Sequence, residues 1–188
     1  GTDEVWVMPQ DGSGPARQLT EKGDTYKYQI QWSPDGTKLL WSDKKLRLQY
    51  VDVKTKQVVE VDKAERWEIT DYAWSPDSRW IVYARPMLEP MNRIYLYSLE
   101  TKARVEATDG WYNSNGPAFS SDGKFVVFVS DRDFNPIFSQ TEWNHAYLSM
   151  SRVYLLALAR ATKSPFEPKS DEVAVKTAEP AAPGAKDK

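Results

Sequence analysis

Three carboxylates recur along the chain at nearly even spacing. They are Asp35, Asp77 and Asp122, in Ser33-Pro34-Asp35-Gly36, Ser75-Pro76-Asp77-Ser78 and Ser120-Ser121-Asp122-Gly123. A repeated acidic residue invites reading as a chemical site, but its neighbours argue for a turn. Pro34 and Pro76 preset φ at about −65°, the aspartate side chain caps the turn, and Gly36 and Gly123 admit a positive φ. Ser78 stands in the glycine slot of the second copy, where a left-handed backbone would carry a strain of about 1 kcal/mol. The three aspartates are expected to organise hairpins.

Other reactive residues are sparse. His145 is the single histidine and lies between Trp143 and Tyr147. No carboxylate or nucleophile stands at a telling distance from it, so no Ser-His-Asp set can be assembled, and a structural or interface role is expected. Asp131, Arg132 and Asp133 are expected to pair with each other or with backbone rather than to hold a metal. Cysteine is absent, which excludes disulfides and thiolate metal sites. The Gly12-Ser13-Gly14 run lacks the strand-to-helix setting of a phosphate loop. Neither metal nor cofactor is expected, and no catalytic residue.

Composition narrows the partners. The 188 residues hold 25 Lys plus Arg against 27 Asp plus Glu, a net charge of −2. Basic and aromatic residues are not clustered as a nucleic-acid face requires, so nucleic acid is not an expected partner. No apolar run approaches the roughly 20 residues that cross a bilayer, and no membrane association is expected. The first ten residues lack the basic start and apolar stretch of a signal peptide. They open inside a strand-like run, Val5-Trp6-Val7-Met8, as expected for a piece of a longer protein. A cytoplasmic location is expected, or a periplasmic one if the parent carries an export signal.

The elements around the turns form a repeat. Aromatic anchors Trp32, Trp74 and Phe119 precede the three turns and are 42 and 45 residues apart. Such a period suits a propeller blade of four short strands. In each copy a strand A ends in the anchor, the turn follows, and an apolar strand B comes next. Strand C reads LRLQYVDV, RIYLYSL or RVYLLAL, and strand D reads QVVEV or RVEAT. Alternation of apolar and polar residues is clean in the first two C strands. Helical periodicity is weak except over residues 141–151.

The expected fold is all-β: a β-propeller fragment of about three and a half four-stranded antiparallel blades. It comprises a partial propeller over 1–166, with a blade remnant at 3–22 and blades at 26–62, 69–108 and 116–158. The last blade shows no convincing strand D. Residues 167–188, a Pro/Ala/Lys/Glu mixture, are expected to be a disordered linker. An open arc exposes an apolar flank and a strand edge at each end, which favours self-association into a homo-oligomer.

Propeller geometry sorts the loops. A–B and C–D turns share one face; B–C and D–A connections share the other. The second face receives the aromatic loops containing Trp67, Trp111, Tyr112 and Asn113. It also receives a long B–C excursion over about 133–151 containing Trp143, His145 and Tyr147, and long loops tend to be functional. These seven residues are the candidates for peptide or interface contact, the aromatics by stacking and Asn113 by amide hydrogen bonds. Sealing adjacent blades is the competing role for each aromatic.

The repeats WSPDG, WSPDS and FSSDG resemble those of tricorn-type peptidases, TolB and dipeptidyl-peptidase propellers. The ending, FVVFVSDRDFNPIFS followed by EWNHAY and SRVYLLALARATKSPFEPKSDE, is similar to the close of the second propeller of tricorn proteases. The resemblance covers nearly all of residues 3–173. It implies a parent that is a serine peptidase trimming oligopeptides, often as a hexamer, with its catalytic serine and histidine in a later region. No motif of that region matches here, so no catalytic residue transfers. The module would guide or filter oligopeptides, with the remaining blades and catalytic domains of the parent as partners. A TolB-like protein-binding scaffold, or the propeller of a dipeptidyl-peptidase-like enzyme, is the alternative.

Overall fold

The computed structural model describes residues 2–89, 91–133, 136–138 and 145–168. Among them every regular element is a strand. A short hairpin comes first, β1 (Trp6–Val7) against β2 (Arg17–Gln18). A four-stranded antiparallel sheet follows in the order β3 (Lys27–Trp32), β4 (Lys38–Asp43), β5 (Arg47–Asp52), β6 (Val58–Lys63). The second has the same order: β7 (Tyr72–Trp74), β8 (Trp80–Pro86), β9 (Asn92–Ser98), β10 (Arg104–Glu106). The third has three strands among the described residues: β11 (Ser114–Phe119), β12 (Phe125–Ser130) and β15 (Arg152–Ala157). Between β12 and β15 the chain makes a separate hairpin, β13 (Pro136–Phe138) against β14 (His145–Tyr147). The helical periodicity over 141–151 therefore does not yield a helix at His145–Tyr147, because cross-strand pairing there satisfies the backbone instead.

Strand register fixes which side chains face which neighbour. Leu39 and Trp41 of β4 join Val5 and Leu19 of the hairpin in one buried cluster. Leu40 and Tyr50 of the first sheet pack with Trp74, Ile81 and Tyr83 of the second. Val82, Ala84 and Ile94 of the second sheet pack with Val126 and Phe128 of the third. Each sheet thus uses alternate residues of its B strand against the preceding sheet and the intervening ones against the following sheet, as a two-residue period requires. Residues 169–188, most of the expected linker, lie outside the described residues.

The anchors show this logic. Trp74 is 8% exposed and meets Tyr50 of the preceding sheet edge-on, with ring centroids 6.2 Å apart. Trp32, at the same place in its sheet, is 52% exposed, since only the β1–β2 hairpin precedes it among the described residues. Apolar residues of the last sheet are likewise open, with Val129, Val153 and Phe166 exposed.

Candidate functional site

The three serine-aspartate turns are nearly superposable in their bonding. Ser33, Ser75 and Ser120 donate their hydroxyls to Asp35, Asp77 and Asp122 at 2.6, 2.5 and 2.6 Å. Backbone N–H groups of Thr37, Arg79 and Lys124 donate to the same carboxylate oxygens. In return the serine hydroxyls accept the N–H groups of Lys38, Trp80 and Phe125. The Ser75 and Ser120 hydroxyls hold the Asp77 and Asp122 carboxyls below the ordinary aspartate range. At Asp35 burial pushes the other way, but the bonds from Ser33 and Thr37 prevail. All three are ionised at neutral pH and committed to their turns.

Gly36, Ser78 and Gly123 have φ of +68°, +59° and +68°. Ser78 also does what glycine could not. Its hydroxyl oxygen accepts the N–H of Asp35 at 3.0 Å, tying its turn to that of the neighbouring sheet.

The opposite face carries the aromatic loops. Trp67 is exposed beside a depression of about 330 Å³ that Asp71, Pro86 and Asn92 also line. Trp111 is 78% exposed and borders a pocket of about 450 Å³ with Glu89, Met91, Arg93 and Asp109. Gly110 precedes it at φ +77°, a left-handed backbone that favours glycine, and a Cβ there would displace the Arg93 guanidinium. Tyr112 is exposed and stacks on Arg132, whose guanidinium carbon also lies over Phe128 and Tyr154 at 5.6, 5.7 and 5.1 Å respectively.

Asn113 is held by its neighbours. Its Oδ1 accepts the Asn92 N–H at 2.9 Å, its Nδ2 donates to Asp131 at 3.4 Å, and its carbonyl accepts from Asp131 N–H and the Ser130 hydroxyl. A peptide could use this amide only by displacing those partners. Sequence reasoning missed the row that Asn113 joins. Asn92 Nδ2 donates to Asn115 Oδ1 at 2.6 Å, and the Gly116 N–H donates to Asp71 Oδ2 at 2.9 Å across two sheets.

Of the two pairings expected for the Asp131-Arg132-Asp133 run, its members do not pair with one another, while the N–H groups of Asp131 and Asp133 donate to the Asn113 and Met150 carbonyls at 3.1 Å. Asp131 accepts the Ser151 hydroxyl at 2.5 Å, and Asp133 pairs with Arg152 at 2.5 Å. Arg132 donates to the Ser130 hydroxyl. Strand pairing of Ser130 with Arg152 explains this, because it brings the excursion's far end against its start and offers better-placed partners. His145 and Tyr147 lie in β14, paired with Phe138 and Pro136, and Trp143 lies outside the described residues. Among the described residues no group of three or more His, Asp or Glu is placed to hold a metal ion, and no helix is long and apolar enough to cross a membrane.

Chains of known families share this architecture. Residues 1–187 match the model of the tricorn protease second beta propeller domain, and the chain belongs to that family. Tricorn protease homolog 1 of Streptomyces coelicolor is 30% identical over 171 residues, which are 89% of this chain and 16% of that protein. The chain thus spans about one sixth of the length of that relative. The crystal structure of the tricorn protease superposes with a TM-score of 0.75 at 21% identity, over 81% of this chain and 15% of that one. TolB of Agrobacterium tumefaciens gives a TM-score of 0.54 at 22% identity, over 84% of this chain and 54% of that one. These two likenesses establish the fold, a β-propeller fragment, as the family match does.

Proposed function

We propose that this chain is a non-catalytic propeller module of a tricorn-like serine peptidase, guiding or filtering oligopeptides towards catalytic domains elsewhere in the parent. The observation that carries this reading is the placement of Trp67, Trp111 and Tyr112. All three are exposed on the D–A connections of successive sheets, beside the polar row of Asp71, Asn92, Asn113 and Asn115. Exposed rings offer sequence-tolerant stacking, and a peptide backbone would reach the amide row by exchange with the partners its members hold. The propeller part runs over 1–166, 167–188 is a linker, the parent assembles as a homo-oligomer, and the remaining blades complete the ring.

Oligopeptide cleavage by the parent enzyme tests this. With Trp111→Ala or deletion of 134–149, the rate or the length selectivity changes while the catalytic region is intact. Unchanged rate and selectivity in both variants would overturn it and leave a TolB-like binding scaffold as the better reading.

A further inference from the structure

On the face of the serine-aspartate turns a cleft of about 480 Å³ opens between the second and third sheets. Its floor is apolar, made by Trp80, Leu96, Val105, Phe119 and Leu158, and the carboxylates of Asp77 and Asp122 stand at its rim. Val105, 51% exposed, faces it from β10. The volume is about three times that of a cavity known to take benzene and lies within the range of small-ligand sites.

The molecule itself shows what such a cleft accommodates. At the matching place between the first and second sheets the space is filled by three groups. Trp74 and Tyr50 meet edge-on, and the Lys102 ammonium lies over the Tyr50 ring at 5.3 Å while donating to its hydroxyl at 2.6 Å. Register converts each position to its counterpart one sheet on. Tyr50 opposite Leu40 becomes Leu96 opposite Val82, and the anchor Trp74 becomes Phe119. Lys102, four residues beyond Ser98 at the end of strand C, becomes Ala161, four beyond Ala157. All three filling groups are cut back together, while Lys38 of the first sheet is replaced by Trp80, which forms part of the floor. What the second interface lacks is the Tyr50 ring with the Lys102 cation beside it, and what stands at its mouth is a pair of ionised carboxylates, Asp77 and an Asp122 that lies 3.7 Å from the Lys124 ammonium.

We propose that this cleft is a docking site for a polypeptide segment supplied in trans that presents an aromatic residue next to a lysine or arginine. The ring enters the space left by the smaller Leu96 and Phe119, and the cation meets Asp77 and Asp122. This surface is on the face opposite the aromatic loops, and it does not depend on the guiding role proposed above.

The probe is the tetrapeptide acetyl-Gly-Tyr-Lys-Gly-amide, titrated into the full chain while the methyl signals of Leu96, Val105 and Leu158 are followed by NMR. Saturable shifts of these methyls at up to millimolar peptide are expected. The Ala-Lys analogue binds about tenfold more weakly, having lost the ring's burial. The Tyr-Glu analogue, or Asp77→Asn with Asp122→Asn, weakens binding about threefold, as suits exposed charges. Leu96→Tyr combined with Phe119→Trp fills the cleft and abolishes the shifts at Val105 and Leu158. If that pair does not fold, Val105→Trp, at a half-exposed lining position, serves instead, with the shifts followed at Leu96 and Leu158. Equal binding of all three peptides, no saturation at millimolar concentration, or undiminished binding to a folded filled variant would overturn the proposal.

Discussion

Between the first and second sheets, Asp62 is buried and accepts the Tyr83 hydroxyl at 2.8 Å. Arg85 approaches it at 3.1 Å, and Arg104 also pairs with it. Between the second and third sheets the same register carries Thr108, which accepts the Ile94 N–H as Thr20 accepts that of Val5 in the leading hairpin. Phe128 then stands where Tyr83 stands, and Ser130 where Arg85 stands. The polar staple has been removed as a set, hydroxyl, acid and guanidinium together, and the second interface is closed by apolar packing and the asparagine row. The repeat dictates where sheets must touch. Each interface is free to choose how, provided partners change in concert, because a lone survivor would be a buried group without a partner.

This comparison can be broken most forcefully at Asp62. Replacing it by alanine leaves the largely buried Arg85 with only the exposed Glu65 carboxylate at 3.8 Å, and should cost about 3 kcal/mol in urea unfolding. Thr108→Ala at the matching position should cost about 1 kcal/mol, one hydrogen bond to backbone. Similar losses for the two would refute the contrast. The anchors sharpen it next. Trp74→Ala should cost about 3–5 kcal/mol by opening the first interface, and Trp32→Ala, half exposed, less than about 1.5 kcal/mol, both read from thermal or urea transitions.

Ser78 gives the smallest effect. Glycine there relieves a left-handed strain of about 1 kcal/mol and loses a hydrogen bond of about the same worth, so Ser78→Gly should be nearly neutral. Ser78→Ala keeps the strain and loses the bond, and should destabilise by about 1 kcal/mol. If both variants behave alike, the left-handed strain contributes nothing, and if Ser78→Ala is as stable as the parent chain, the bond to Asp35 contributes nothing.

Much of this architecture was legible because the repeat is local. Anchor, turn and strand B lie within about a dozen residues, where proline, glycine and alternation act directly. The staple was not legible, since Arg85 and Arg104 are 23 and 42 residues from Asp62 and reach it from another sheet. A register shift between Leu48 and Gln49 also changes which residue of β6 points inward. On the loop face the exposed tryptophans were foreseeable as aromatic punctuation of connections. That Asn113 is already engaged by Asn92 and Asp131 required the spatial meeting of three loops.

The central claim is that sheets are locked to their neighbours by side chains set at each interface, the first interface more firmly than the second. Native-state hydrogen exchange in rising urea tests it most directly. Amides of Ile81–Ala84 in β8, enclosed on both faces, should open only with global unfolding. Those of Val126–Phe128 in β12 should open earlier, at a free energy lower by about 1 kcal/mol or more. Identical opening energies for the two strands, or earlier opening of β8, would contradict the account.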